Sequence, residues 1–145
     1  MTNRPRAVFD TNVFVSASLS KNANSPTREL MTRWKNNEFT LIICDQIAKE
    51  VIEKLVERGI SQEAIDEQLS ALARSAEWVV VPEEKIESLL TDPDDNVVVA
   101  CAIEGNANYI VTYDPHFDLL GNEYRGVKIV KAIPFLEVLR KKNEE

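Results

Sequence analysis

A single histidine, His116, stands among the 145 residues, and its isolation removes whole classes of chemistry. Catalysis by a histidine pair is impossible. No C-x-x-C or H-x-x-x-H spacing supplies the three or four ligands of a zinc site. Cysteine is nearly as scarce: Cys44 and Cys101 each sit inside an apolar run, which reads as two reduced core thiols of a cytoplasmic protein rather than a disulfide framework. With four glycines the chain has no glycine loop to cradle a phosphate, and it has no G-x-S-x-G elbow. No apolar run approaches the roughly 20 residues of a membrane span, and Met1-Thr2-Asn3-Arg4-Pro5 lacks the character of a signal peptide. Carboxylate is what abounds, with 24 Asp and Glu against 17 Lys and Arg and a net charge of −7. An enzyme built from this chain must rest its chemistry on acids.

The length suits one domain spanning 1–145, and no repeat or composition shift divides it. Ala7-Val8-Phe9, Thr40-Leu41-Ile42-Ile43-Cys44, Trp78-Val79-Val80-Val81, Tyr109-Ile110-Val111-Thr112 and Val127-Lys128-Ile129-Val130 are short, continuous and rich in β-branched residues, the pattern of strands buried on both faces. Helical patterns lie between them. Ser25-Pro26 opens a helix to about Asn36. Asp45 caps a second that Gly59 ends, Ser61 caps a third, and Asp92-Pro93 opens a fourth that runs to Gly105. Pro134 to about Lys142 forms a last helix. Strand and helix alternating in this way predict an α/β fold with a mostly parallel sheet wrapped by helices.

Sites in such sheets form outside the carboxyl ends of the strands. Asp10 ends the first strand, and Asp114 follows the fourth by two residues. Asp95 lies in the first turn of the helix before that strand, on one stripe with Val98, Val99 and Ala102. A carboxylate on a stripe that faces the sheet is costly unless a cation compensates it. Glu50, in the second turn of the helix after Cys44-Asp45, is a fourth candidate. Four converging carboxylates raise one another's pKa, and a hard divalent cation with oxygen ligands, Mg²⁺ or Mn²⁺, resolves the repulsion. Simpler readings stand beside these. Asp10, Asp92 and Asp114 are good cap or turn residues, Asp94 suits a solvated first turn, and His116 reads as a surface or turn histidine.

Asp10-Thr11-Asn12-Val13 after a strand, Glu50 after Cys44-Asp45, Asp92-Pro93-Asp94-Asp95-Asn96 opening a helix, and Thr112-Tyr113-Asp114 after a strand together resemble the PIN domain, and most of all its VapC-like branch of toxin–antitoxin toxins. The resemblance covers nearly the whole chain in the right order. It implies a three-layer α/β/α sandwich with a five-stranded sheet in the order 3-2-1-4-5. It also implies a Mg²⁺- or Mn²⁺-dependent endoribonuclease that hydrolyses RNA phosphodiester bonds with one or two ions, a homodimer, and inhibition by a small antitoxin protein. On this resemblance Asp10, Glu50, Asp95 and Asp114 form the acidic quartet that holds metal and carries catalysis. Asn12 matches the polar residue that steadies the first aspartate, and Thr112 the hydroxyl two residues before the last. The chain departs from the pattern at Asp45, where the family often has Ser or Thr. Asp94 and Asp95 are adjacent, and the stripe favours Asp95 as the ligand, with Asp94 the alternative.

Charge is uneven along the chain. Residues 1–35 hold Arg4, Arg6, Lys21, Arg28, Arg33 and Lys35 against Asp10 and Glu29, a local +4, which leaves −11 on the rest. An RNA substrate is therefore expected to approach across the first two helices, with Lys21, Arg28 and Arg33 as phosphate contacts. Apolar residues on the helix with Ile65 and Leu69 offer a dimer surface. Two other readings compete. One is a PIN-like module that binds RNA or protein without cutting. The other is a haloacid-dehalogenase-like phosphohydrolase with Asp10 as nucleophile, which wants a second aspartate where Asn12 stands.

Overall fold

The computed structural model describes residues 4–144; Met1-Thr2-Asn3, part of the start that lacks signal-peptide character, lie outside them. The strands are β1 (Arg6–Phe9), β2 (Thr40–Ile43), β3 (Glu77–Trp78), β4 (Tyr109–Val111), β5 (Glu123–Tyr124) and β6 (Val127–Val130). The helices are α1 (Thr11–Leu19), α2 (Pro26–Lys35), α3 (Asp45–Glu57), α4 (Gln62–Ser75), α5 (Pro93–Glu104) and α6 (Ala132–Asn143). One sheet runs in the order β3-β2-β1-β4-β6-β5, parallel throughout except for β5 against β6. Its five parallel strands reproduce the expected order. The sixth, β5, is an addition that the sequence reading did not contain. It folds back onto β6 through Arg125 (φ 48°) and Gly126 (φ 84°), the two left-handed residues that a type I′ hairpin requires.

The central strands are buried on both faces, and successive side chains point to opposite sides. Phe9 stacks edge-on with Phe135 of α6 and tilts against Phe14 and Phe39, so its face of the sheet meets α6, with α2 packed beside that helix. Val8 pairs in register with Ile42 on the opposite face, where α5 lies. A Cβ added at Gly105, at the end of α5, would fall 2.7 Å from Ile42 Cγ2, so only glycine permits this approach. Cys44 and Cys101 are both buried and unbridged. The expected third strand is shorter than its apolar run: only Glu77–Trp78 pairs, and Val80 is exposed at the sheet edge.

Caps fall where the side chains can reach. Ser61 accepts the Ala64 N–H, and Asp92 accepts the Asp94 N–H ahead of Pro93. Asp45, expected as a cap, is instead the first helical residue of α3, with Cys44 at the cap position; there it favours the positive end of the helix dipole. Two surface expectations need correction. Ile65 is buried and Leu69 half-buried against the core, so the apolar stripe of α4 faces inward and leaves no apolar dimer surface there. Arg33, expected as a phosphate contact, is tied to Glu29 at 2.8 Å and to Glu38 at 2.7 Å, which engages its guanidinium within the chain. No helix among the described residues is long and apolar enough to cross a membrane.

Candidate metal centre

Each functional side chain is placed by the end of a strand or the start of a helix. Asp10 follows β1 and caps α1, and it is buried. One of its oxygens accepts the Thr11 N–H at 2.8 Å and the other the Thr112 hydroxyl at 2.7 Å. The Thr112 oxygen in turn accepts the Asp114 N–H at 3.0 Å. One threonine just past β4 thus links the carboxylate of β1 to the loop that carries Asp114. Asn12 does not play the expected steadying part. It is exposed, and the side-chain hydrogen bonds on Asp10 come from Thr11 and Thr112.

Asp95 is 4% exposed, and its Oδ2 is buried with no hydrogen-bond partner among the described residues. The neighbouring residue fixes that placement. Asn96 Oδ1 accepts the N–H groups of Leu89 and Leu90, and its Nδ2 donates to the Leu90 carbonyl, which clamps the first turn of α5 to the preceding loop. Asp94 is exposed. Of the adjacent pair, Asp95 is therefore the one turned toward Asp10 and Asp114.

The acids push on one another. Burial first, then the charges of Asp114, Asp10 and Asp92, raise the Asp95 carboxyl to about 7, with His116 opposing. Burial also lifts Asp10, against the pull of its bonds from Thr112 and Thr11. Glu50, half-buried on α3, rises to about 7 through burial and the charges of Asp94 and Asp10, with Thr11 and Lys54 opposing. Asp10 is felt by both Asp95 and Glu50, so it lies near each of them. Among the described residues none of the four carboxylates has an ion pair with a lysine or arginine.

The tightest ligand-like group is not the quartet as expected from the sequence. Asp95, Asp114 and His116 each offer an atom within 4.8 Å of the others, while Asp10 and Glu50 flank them. In sequence His116 has only the character of a surface or turn histidine. The usable signal was its position two residues after Asp114 in a turn: Asp114 accepts the His116 N–H at 2.9 Å, which brings the ring over the pocket. A cavity of about 520 Å³ opens beside Asp114, lined by Thr112, Tyr113, Lys128, Lys131 and Pro134 among others.

The donor set fits a divalent ion. Three buried or half-buried carboxylates, one with an oxygen left unpartnered, and no Lys or Arg paired with them make a pocket that a small hard cation would complete. A profile of the PIN domain family matches residues 6–116, three quarters of the chain. The chain belongs to the PIN domain family. That membership displaces the haloacid-dehalogenase-like reading. The PIN fold is also evident in solved structures. VapBC2 from Rickettsia felis, in a crystal structure with a DNA fragment from its promoter, superposes with a TM-score of 0.58 at 15% identity, covering 86% of this chain and 96% of that one. The PIN domain of RRP44 from T. brucei superposes with a TM-score of 0.56 at 15% identity, covering 98% of this chain and 82% of that one. No curated protein matches the chain by sequence.

Proposed function

We propose that this PIN domain is a Mg²⁺- or Mn²⁺-dependent endoribonuclease and the toxin of a toxin–antitoxin pair. The observation that carries the reading is the unpartnered Oδ2 of buried Asp95, set beside Asp10 and Asp114 with no lysine or arginine to neutralise them. Asp10, Asp95 and Asp114 would hold one or two divalent ions, with Glu50 at the edge of the group. When bound, such ions activate water at neutral pH and offset charge on the phosphate and the departing oxygen. Thr112 holds Asp10 and the Asp114 backbone in a fixed relation. Glu50, half-buried on α3 and near enough to Asp10 to feel its charge, is placed to take up the proton lost by the attacking water.

Substrate would draw on two sources of positive charge. Lys21 and Arg28 are exposed, although Arg28 also donates to the Ser20 carbonyl at 3.4 Å. Lys128 and Lys131 line the cavity beside Asp114. The toxin role, the antitoxin partner and the homodimer rest on the resemblance to the toxin branch. A cytoplasmic location is in keeping with the buried, unbridged cysteines.

A cleavage assay decides the activity. Labelled single-stranded and structured RNAs are incubated with untagged protein in Mn²⁺, in Mg²⁺ and in EDTA. The reading expects cutting only with metal, leaving 5′-phosphate and 3′-hydroxyl ends, and none by Asp95→Asn. Protein that binds Mn²⁺ and RNA yet cuts nothing would establish the non-cleaving module instead. Equal cutting by parent and variant would overturn the site.

A further inference from the structure

Nothing in the acidic quartet calls for an imidazole, yet the chain's one histidine sits over it. His116 Nδ1 lies 3.1 Å from Asp114 Oδ1 and 3.7 Å from Asp95 Oδ2, and neither contact is a hydrogen bond. The Asp95 oxygen is buried without a partner, so the imidazole approaches an orphaned acceptor without satisfying it. Two ligands of one octahedral ion with bonds of about 2.0–2.1 Å stand about 3 Å apart when adjacent and about 4 Å apart when opposite. The His116 distances of 3.1 and 3.7 Å fall within that range, the spacing of groups that meet at a common ion.

We infer that His116 is a direct metal ligand, and that its nitrogen turns a carboxylate site suited to Mg²⁺ into one that favours a first-row transition ion such as Mn²⁺. The inference rests on the metal-dependent reading above and deepens it. The physical reason is donor softness: Mg²⁺ prefers oxygen and keeps its waters, whereas first-row transition ions accept an imidazole nitrogen more readily, Mn²⁺ the least strongly among them. His116 is exposed, so it can join the ion without desolvation of a buried ring. Its backbone is already fixed by the bond from its N–H to Asp114. Pro115 ahead of it stiffens the turn.

The test uses Mn²⁺ alone, without RNA, on the full, untagged chain in a nitrogen-free buffer. Pulsed electron paramagnetic resonance should show ¹⁴N coupling to bound Mn²⁺. Incorporation of ¹⁵N-histidine, which labels only His116, should convert that coupling to the ¹⁵N pattern. In His116→Gln the coupling should vanish while the circular dichroism and melting curve of the metal-free protein are retained. Calorimetry should show Mn²⁺ affinity falling about tenfold with Mg²⁺ affinity nearly unchanged. Bound Mn²⁺ with no histidine nitrogen coupling would overturn the ligand assignment and leave the carboxylate reading standing, with His116 in an ion pair only. Mn²⁺ that fails to bind the parent at all would overturn both.

Discussion

Glu29 and Glu50 are both half-buried glutamates on helices, and their surroundings drive them in opposite directions. Glu29 on α2 meets Arg33 at 2.8 Å and Arg140 of α6 at 2.8 Å, and the hydrogen bond from Arg33 holds its carboxyl below the usual range despite some burial. Glu50 on α3 meets burial and the charges of Asp94 and Asp10 and rises to about 7. The same contrast divides the two ends of the sheet. At the amino end the Arg6 guanidinium forks onto Glu77 and also donates to the Gly105 carbonyl. At the carboxyl end three aspartates gather with no such partner. Where the fold needs charge only for structure, it supplies the counter-charge from the chain. Where it leaves acids uncompensated, they either hold protons or draw a counter-charge from outside the chain.

Breaking the contrast at its sharpest point should have the largest effect. Asp95→Asn and Asp10→Asn should each lower RNA cleavage by about 10³-fold or more. Circular dichroism should be unchanged, since an amide can fill the same space. In the metal-free state at pH 8 Asp95→Asn should be more stable than the parent by about 1–3 kcal/mol, read by thermal denaturation, and added Mn²⁺ should raise the parent's Tm more than the variant's. Next in size is the clamp that aims Asp95. Asn96→Ala leaves the buried N–H and carbonyl of Leu90 without their side-chain partners and should cost about 1–3 kcal/mol in urea unfolding. Thr112→Val removes the bond to Asp10 and the acceptor of the Asp114 N–H. It should cost about 1–3 kcal/mol and slow cleavage by about 10–100-fold, as seen in single-turnover rates.

The two ends should also answer pH with opposite sign. Between about pH 4 and pH 7, folded metal-free protein keeps protons on Asp95 and Glu50 that the unfolded chain has lost. Folded protein then binds more protons, so the stability from these groups falls as pH rises through that window and levels off above about 7. Glu29 and Glu77, with lowered carboxyls, contribute stability above the unfolded value of 4.5 and lose it as pH falls. Melting curves of metal-free protein across this range should fall toward neutrality, and Asp95→Asn should flatten the slope. Smallest of all, Glu77→Gln at the half-exposed amino-end pair should cost less than about 1 kcal/mol.

Much of this contrast was legible in the residues. β1 ending at Asp10, Asp92-Pro93 opening α5 and the stripe through Asp95, Val98 and Val99 all follow from local periodicity and capping, which act over a few residues. What escaped the reading depends on distant partners or very short elements. β5 is two residues long, too short for any pattern, and only Arg125-Gly126 marked its turn. Arg33 looked like a free cation in a basic segment, although its spacing of four from Glu29 was a readable pairing signal; its bond to Glu38 needed the fold. Ile65 and Leu69 kept a stripe that could face outward or inward until α4 was packed. His116 carried no weight alone and acquired it only when the turn after Asp114 swung it toward Asp95.

Anomalous diffraction from crystals soaked in Mn²⁺ tests the central claim most directly. The account predicts a strong peak within bonding distance of Asp95 Oδ2 and Asp114, lost in Asp95→Asn. Mn²⁺ absent from that pocket, with the Asp95 oxygen paired instead to a lysine or arginine side chain, would contradict it.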